Sequence, residues 1–416
     1  MTMSHSPRRR RALLHALPLA SLLLGATACG GSDNPLADRP YDAAGQVGLN
    51  VQQGHKADPS KPVEVTARGG EQITDVTMTD AAGRFIKGEL APDGSRWHST
   101  GALSAGAHYT VRVSTEDEDG AQGRRTAGFD TSPADRLLRV AFGPKSGTYG
   151  VGQPVTAELS EPVQDPAARA VVERTLRVDA APAVQGAWHW VDNRTLHYRP
   201  KEYWPAHTVV DVHANLEGIK VAGGLYGGPS RPVRLTIGDR VEAVTDAGAH
   251  SMTVFKNGEA VRSIPVTTGK PGFATRNGIK VVLGQEAFVR MRGTSIGIAE
   301  GSSDAYDLPV YWATRVTWSG EYVHAAPWSE GSQGWENVSH GCTGMSTANA
   351  KWFFDNVRVG DIVKVVGSAG ATMTPFDNGF GDWNMSWEQW REGSALAAGK
   401  REGTGPADTA RLRPRL

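Results

Sequence analysis

Ser251-Met252-Thr253-Val254-Phe255-Lys256-Asn257-Gly258-Glu259-Ala260-Val261-Arg262-Ser263-Ile264 reads as strand, turn and strand. Two runs of β-type residues flank Asn257-Gly258, and Asn-Gly between such runs is the strongest short hairpin signal. The pattern repeats toward the amino terminus. Val63 to Ala67, Tyr109 to Val113, Leu137 to Phe142 and Val233 to Ile237 are short β runs set between turn residues. The last two lie about 100 residues apart, the length of one sandwich domain. Downstream, Ile279 to Leu283, Ala287 to Met291 and Ile362 to Val366 are further strand candidates, the last entered through Gly360-Asp361. One segment reads as a helix. Ser346 can cap it, and Ala350, Phe353, Phe354 and Val357 follow at helical spacing.

The expected fold is therefore mainly β. Two tandem Ig-like sandwiches, 50–134 and 135–239, precede a β-rich unit at 240–367 with a short helix. A Trp-rich extension at 368–395 and a Gly/Ala/Arg/Pro-rich tail at 396–416, expected to be disordered, follow. Trp383, Trp387 and Trp390 are spaced to share one face of a short helix, which reads as a packing pad against the neighbouring domain. A chain of 416 residues suits two to four domains. With 44 basic and 44 acidic residues the formal charge is zero, which speaks against a bulk nucleic-acid binder. Two cysteines, Cys29 and Cys342, exclude a disulfide scaffold and a four-cysteine zinc site.

Residues 1–29 read as an export signal: Arg8 to Arg11, then an apolar stretch from Ala12 to Ala28. Ala26-Thr27-Ala28-Cys29-Gly30 resembles a bacterial lipobox, which implies lipidation of Cys29 and a membrane anchor. Residues 30–49 read as a tether. The protein is thus expected outside the cytoplasmic membrane, at its outer face or in the cell wall. Cys342 is then the remaining thiol of an exported chain.

Tyr322-Val323-His324-Ala325-Ala326-Pro327-Trp328 and Ser339-His340-Gly341-Cys342-Thr343-Gly344-Met345-Ser346 carry the chemistry. An ordinary thiol is mostly protonated at neutral pH and needs a base to become a nucleophile. Histidine fills that role when a third group fixes its tautomer. Gly341 permits the tight backbone that could aim amides at an oxyanion.

These residues resemble the L,D-transpeptidases, whose catalytic domain is of the YkuD type. The likeness rests on His324, an interval of about fifteen residues, and Ser339-His340-Gly341-Cys342. It extends to His324–Trp328, Met291, Tyr306, Gly360-Asp361 and Gly381-Asp382-Trp383 through Trp390, and the actinobacterial members also carry two Ig-like modules. The resemblance implies a cysteine-dependent acyltransferase that cross-links peptidoglycan stem peptides third-to-third through a thioester. Cys342 would be the nucleophile, His324 the base, and the Ala325 carbonyl its orienting group. Ser339 and His340 would shape the pocket, and the Gly341 and Cys342 amides would form the oxyanion hole. Tyr306, Met291, Trp328 and Thr343 would face the substrate, under a flap from about Met291 to Ser319. Carbapenem-type β-lactams would acylate the cysteine. No cofactor, metal or nucleic acid is implied. Thr343 and Gly344 depart from the family pattern, which has an apolar residue and then Asn.

Three other readings compete. His324, His340 and Cys342 could be zinc ligands, though no His-x-x-x-His helix accompanies them. Water in place of an amine would make the chain an L,D-carboxypeptidase. A non-enzymatic wall-binding lipoprotein would leave Ser-His-Gly-Cys unexplained. An activated Cys342 is expected to react with iodoacetamide well below pH 8, and a buried structural thiol is not.

Overall fold

The computed structural model describes residues 39–398; the expected export signal, Cys29 and most of the expected tail lie outside them. The described chain is built largely of strands in three successive units, as the sequence leads one to expect.

In the first unit, one sheet runs through Tyr41–Asp42, Gln122–Thr131, His108–Glu116 and Gln72–Asp80, with Lys56–Ala57 also on Gln122–Thr131. The other runs through Val47–Leu49, Glu64–Ala67, Arg96–Ser99 and Gly88–Leu90. Alternate residues Tyr109, Val111 and Val113 point inward to meet Val65, Met78, Trp97 and Phe129. The tether expected at 30–49 is shorter than read. Two strands lie within it, because Val47 is buried in this core.

The second unit pairs two four-stranded sheets and has a small third sheet at one side. It holds a helix the strand pattern did not announce, Pro166–Thr175. The Asp165 carboxylate accepts from the Ala168 amide at 2.7 Å, and proline occupies the first turn.

In the third unit, β1 (Val241–Asp246), β2 (Ser251–Lys256), β3 (Glu259–Pro265), β4 (Gly278–Val281) and β9 (Ile362–Val366) form a sheet in the order β3-β2-β1-β9-β4. The second sheet is β5-β6-β7-β8, comprising Gly284–Arg292, Asp307–Arg315, Tyr322–Ala325 and Thr343–Met345. Asn257 and Gly258 both take positive φ, 53° and 91°, as the tight β2–β3 turn requires. Helix α1 (Thr347–Asn356) is capped by Ser346, whose hydroxyl accepts from the Asn349 amide at 3.3 Å. Ala350 and Phe353 of α1 pack with Val254, Val323, Met345 and Val363, so the helix closes the core between the two sheets.

The extension folds back over the second sandwich. Helix α2 (Trp387–Glu392) follows a 3₁₀ turn at Asp382–Asn384, and it sets Trp390 fully buried with its indole N–H on the Ala187 carbonyl at 2.9 Å. The buried guanidinium of Arg199 stacks over Trp383, Trp387 and Trp390 at 4.8, 5.5 and 4.7 Å. The pad is thus a clasp around an arginine of the neighbouring domain. Residues 396–398, expected to belong to a disordered tail, are helical as part of Ala395–Ala398, and the Ala395 amide donates to Glu173 at 2.8 Å.

The second sandwich also meets the third unit directly. The Gly150 and Gly152 amides donate to Val359 and Gly360, each at 2.9 Å. Beside this joint lies Asp361, fully buried, with one carboxylate oxygen accepting from the Arg358 amide and the other without a partner. Burial pushes its carboxyl up to about 7.

Two predictions follow from the joint. Trp390→Ala should cost roughly 3–5 kcal/mol in denaturant unfolding of the unit it clasps; a change near zero would mean the clasp is ornamental. The folded chain holds a proton on Asp361 that the unfolded chain releases near pH 4, so stability falls as pH rises from about 4 through 7. Asp361→Asn should therefore raise the unfolding midpoint relative to the parent protein at pH 8 and much less at pH 4.

Candidate active site

Strands β7 and β8 run parallel, with Val323 opposite Thr343 and His324 opposite Gly344. Because alternate residues share a face, His324, Gly344 and Cys342 all look the same way. They line one cavity of about 260 Å³, together with Ser339, His340, Tyr306, Met291 and Trp328. Residues the sequence reading passed over, among them Thr267, Leu308, Val310 and Val338, complete the walls.

His324 is buried. Its Nδ1 lies 2.8 Å from the Ala325 carbonyl, which can only accept, so Nδ1 carries the proton and Nε2 is left as a base. Burial lowers the imidazole's affinity for a second proton, and this hydrogen bond partly offsets that. Trp328 stacks over the ring at 6.1 Å.

Cys342 packs against the small apolar cluster of Val310, Ala313 and Tyr322, with Met291 and Leu308 nearby. Its Sγ points at the Gly320 carbonyl, 3.6 Å away. Burial pushes the thiol up to about 11. Burial thus works against charge on both groups.

The loop before Cys342 is fixed from both sides. The Ser339 hydroxyl donates to the Cys342 carbonyl at 2.6 Å and accepts from the Gly341 amide at 3.1 Å. Thr275 donates to the Gly341 carbonyl at 2.9 Å. Gly341 sits at φ 118°, where a side chain is strained. Its amide is already taken by Ser339, so of the two expected oxyanion donors only the Cys342 amide is free of a partner among the described residues.

His340 lies between Tyr306 and Phe273, with ring centroids 5.0 and 4.7 Å away, and its Nε2 is 3.7 Å from Asp304. Asp304 is held by Lys270 at 2.6 Å. Thr343 does not line the cavity: it is buried on β8, and its neighbours on either side face the pocket instead. Gly344 does line it. A Cβ there would come 2.9 Å from the Ala326 Cβ and 3.1 Å from Thr267, whose backbone exchanges two hydrogen bonds with Gly344. Close approach of that segment is the reason glycine fits where the family pattern has Asn. The flap is shorter than 291–319. The excursion spans 293–306, whereas Asp307–Arg315 is strand β6, paired with β5 along its length and with β7 at Thr314 and Arg315. Among the described residues no three His, Cys, Asp or Glu side chains gather closely enough to hold a metal ion.

A pH–rate series for iodoacetamide checks the resting state. The rate should climb about tenfold per pH unit through pH 9 without levelling; a plateau below pH 8 would mean a preformed thiolate.

Comparison with known proteins shows what the chain is similar to. Residues 240–365 match the L,D-transpeptidase catalytic domain of the YkuD family, and residues 54–220 match a bacterial Ig domain. The chain is 36% identical over 408 residues to L,D-transpeptidase 2 of Mycobacterium tuberculosis, covering 94% of this chain and 97% of that protein. It is 40% identical over 231 residues to L,D-transpeptidase 1 of the same species, covering 55% of this chain and 84% of that one. The solved structure of an LD transpeptidase in complex with imipenem is 39% identical and covers 55% of this chain and all of that one, with a TM-score of 0.48.

Proposed function

Since the chain belongs to the L,D-transpeptidase family, we propose that it cross-links peptidoglycan stem peptides, with Cys342 as nucleophile and His324 as base. The observation that carries this reading is the shared face of β7 and β8, which turns a base with a fixed tautomer and the thiol into one cavity.

The sulfur leaves the Gly320 carbonyl and gives its proton to His324 Nε2 as it attacks the carbonyl carbon of the third stem residue. The Cys342 amide faces the oxygen that becomes negative. Collapse breaks the C–N bond, and the imidazolium protonates the departing D-Ala amine. A thioester remains. The side-chain amine of a second stem attacks it, the C–S bond breaks, and the amine's proton returns through His324 to the sulfur. Two thioester exchanges replace one difficult amide exchange. The Met291, Leu308 and Val310 wall suits the donor's aliphatic side chain, and Tyr306 and Trp328 line the same cavity.

We place the protein at the outer face of the cytoplasmic membrane, anchored through a lipid on Cys29. The supports are the basic and apolar run of residues 8–28 and the small residues before the cysteine. The Ig-like units then act as spacers that carry the cleft outward.

Incubation with tetrapeptide-stem muropeptides and mass analysis of the products tests the activity. A cross-linked dimer supports the transfer reaction, tripeptide alone would make the chain a carboxypeptidase, and unchanged substrate would sink the enzyme reading. A carbapenem should add its mass to the parent protein, and Cys342→Ala should abolish both adduct and product while leaving the unfolding midpoint in place. His324→Ala should slow adduct formation by roughly 10²–10⁴-fold.

A further inference from the structure

Lys280 lies on β4, and its side chain is only 1% exposed. A lysine so enclosed needs a counterion, because stripping water from a single charge costs far more than folding can spare. The counterion is Glu321, whose Oε2 accepts from the Lys280 ammonium. Oε1 accepts from the Arg276 amide at 3.2 Å and from its guanidinium at 2.9 Å.

This group stands directly behind the nucleophile. Glu321 follows Gly320, whose carbonyl holds the Cys342 thiol. The Glu321 Cγ is 3.9 Å from where a Cβ on Gly341 would sit. Arg276 follows Thr275, which holds the Gly341 carbonyl. A carboxylate in that place opposes negative charge on the sulfur. Of its two cationic partners, Arg276 is 43% exposed and shares its charge with water, whereas Lys280 does not. Burial is the largest influence raising the thiol. The Tyr322 amide opposes burial, Glu321 adds to the rise, and Lys280 offsets Glu321.

We propose that Lys280 is a positioning residue for the transfer reaction: by neutralising Glu321 behind Cys342, it lets the sulfur lose its proton without facing a bare buried carboxylate. The proposal rests on Cys342 being the nucleophile. Arg276, Glu321 and Cys342 are the charged and titratable groups that act on Lys280. His324, His340 and Tyr306 face the sulfur from the cavity side.

The test is a pH–rate series for iodoacetamide alkylation of Cys342 in the full chain, with thermal unfolding run alongside. Lys280→Met should move the line to higher pH by about one unit, which is about tenfold slower alkylation at a given pH. Glu321→Gln should move it the other way. The double variant should return to within about threefold of the parent, and Lys280→Arg should keep the parent's line. A packing role alone would lower the unfolding midpoint of Lys280→Met and leave its line unmoved. The proposal is overturned if Lys280→Met superimposes on the parent, or if the double variant stays as slow as Lys280→Met. Should Lys280→Met fail to fold, Glu321→Gln and the double variant decide: a downward shift in the first with recovery in the second supports it, and no shift in either overturns it. Alkylation reads the thiol itself, so failure of the nucleophile assignment appears separately, as absence of the carbapenem adduct.

Discussion

The parallel pairing of two very short strands fixes the chemistry of this protein. Four residues of β7 lie beside three of β8, and the register that sets His324 opposite Gly344 turns the imidazole and the thiol to one side. A slip of one residue would send one of them into the core. Much of the surrounding structure secures that register. Thr267 brackets Gly344 with two backbone bonds, helix α1 packs on β7 and β8, and Ser339 and Thr275 pin the loop that delivers Cys342.

Burial at this site has a cost and a use. It works against charge on both the sulfur and the ring. In the proposed reaction, proton transfer is coupled to attack on a bound carbonyl. The same low-dielectric surroundings strengthen each nearby dipole and charge. In the proposed reaction that would favour the Cys342 amide as an oxyanion donor and disfavour an uncompensated Glu321.

Much of this was legible beforehand. The β2–β3 hairpin followed from Asn257-Gly258, helix α1 from Ser346 and its apolar spacing, and the family from Ser-His-Gly-Cys. The helix at Pro166–Thr175 was passed over although Asp165-Pro166 is a start signal. Its short run of mixed residues carries little periodicity among strands. Lys280 was invisible for a different reason. In Ile279-Lys280-Val281-Val282-Leu283 nothing local distinguishes a lysine facing water from one facing a glutamate 41 positions away. Thr343 and Gly341 show the limit at atomic scale: a motif names neighbours, but a pleat decides which of them look into the cavity and a side-chain hydroxyl decides which amide is already occupied.

The tryptophan clasp changes how the molecule handles force. A linker between two folded bodies normally works as a swivel, and load on one is lost as rotation of the other. Here the chain crosses the joint once at residue 240 and again when the extension returns to grip Arg199, so the two bodies are doubly moored. Rotation of one body about residue 240 would therefore have to carry the other with it or break the grip on Arg199.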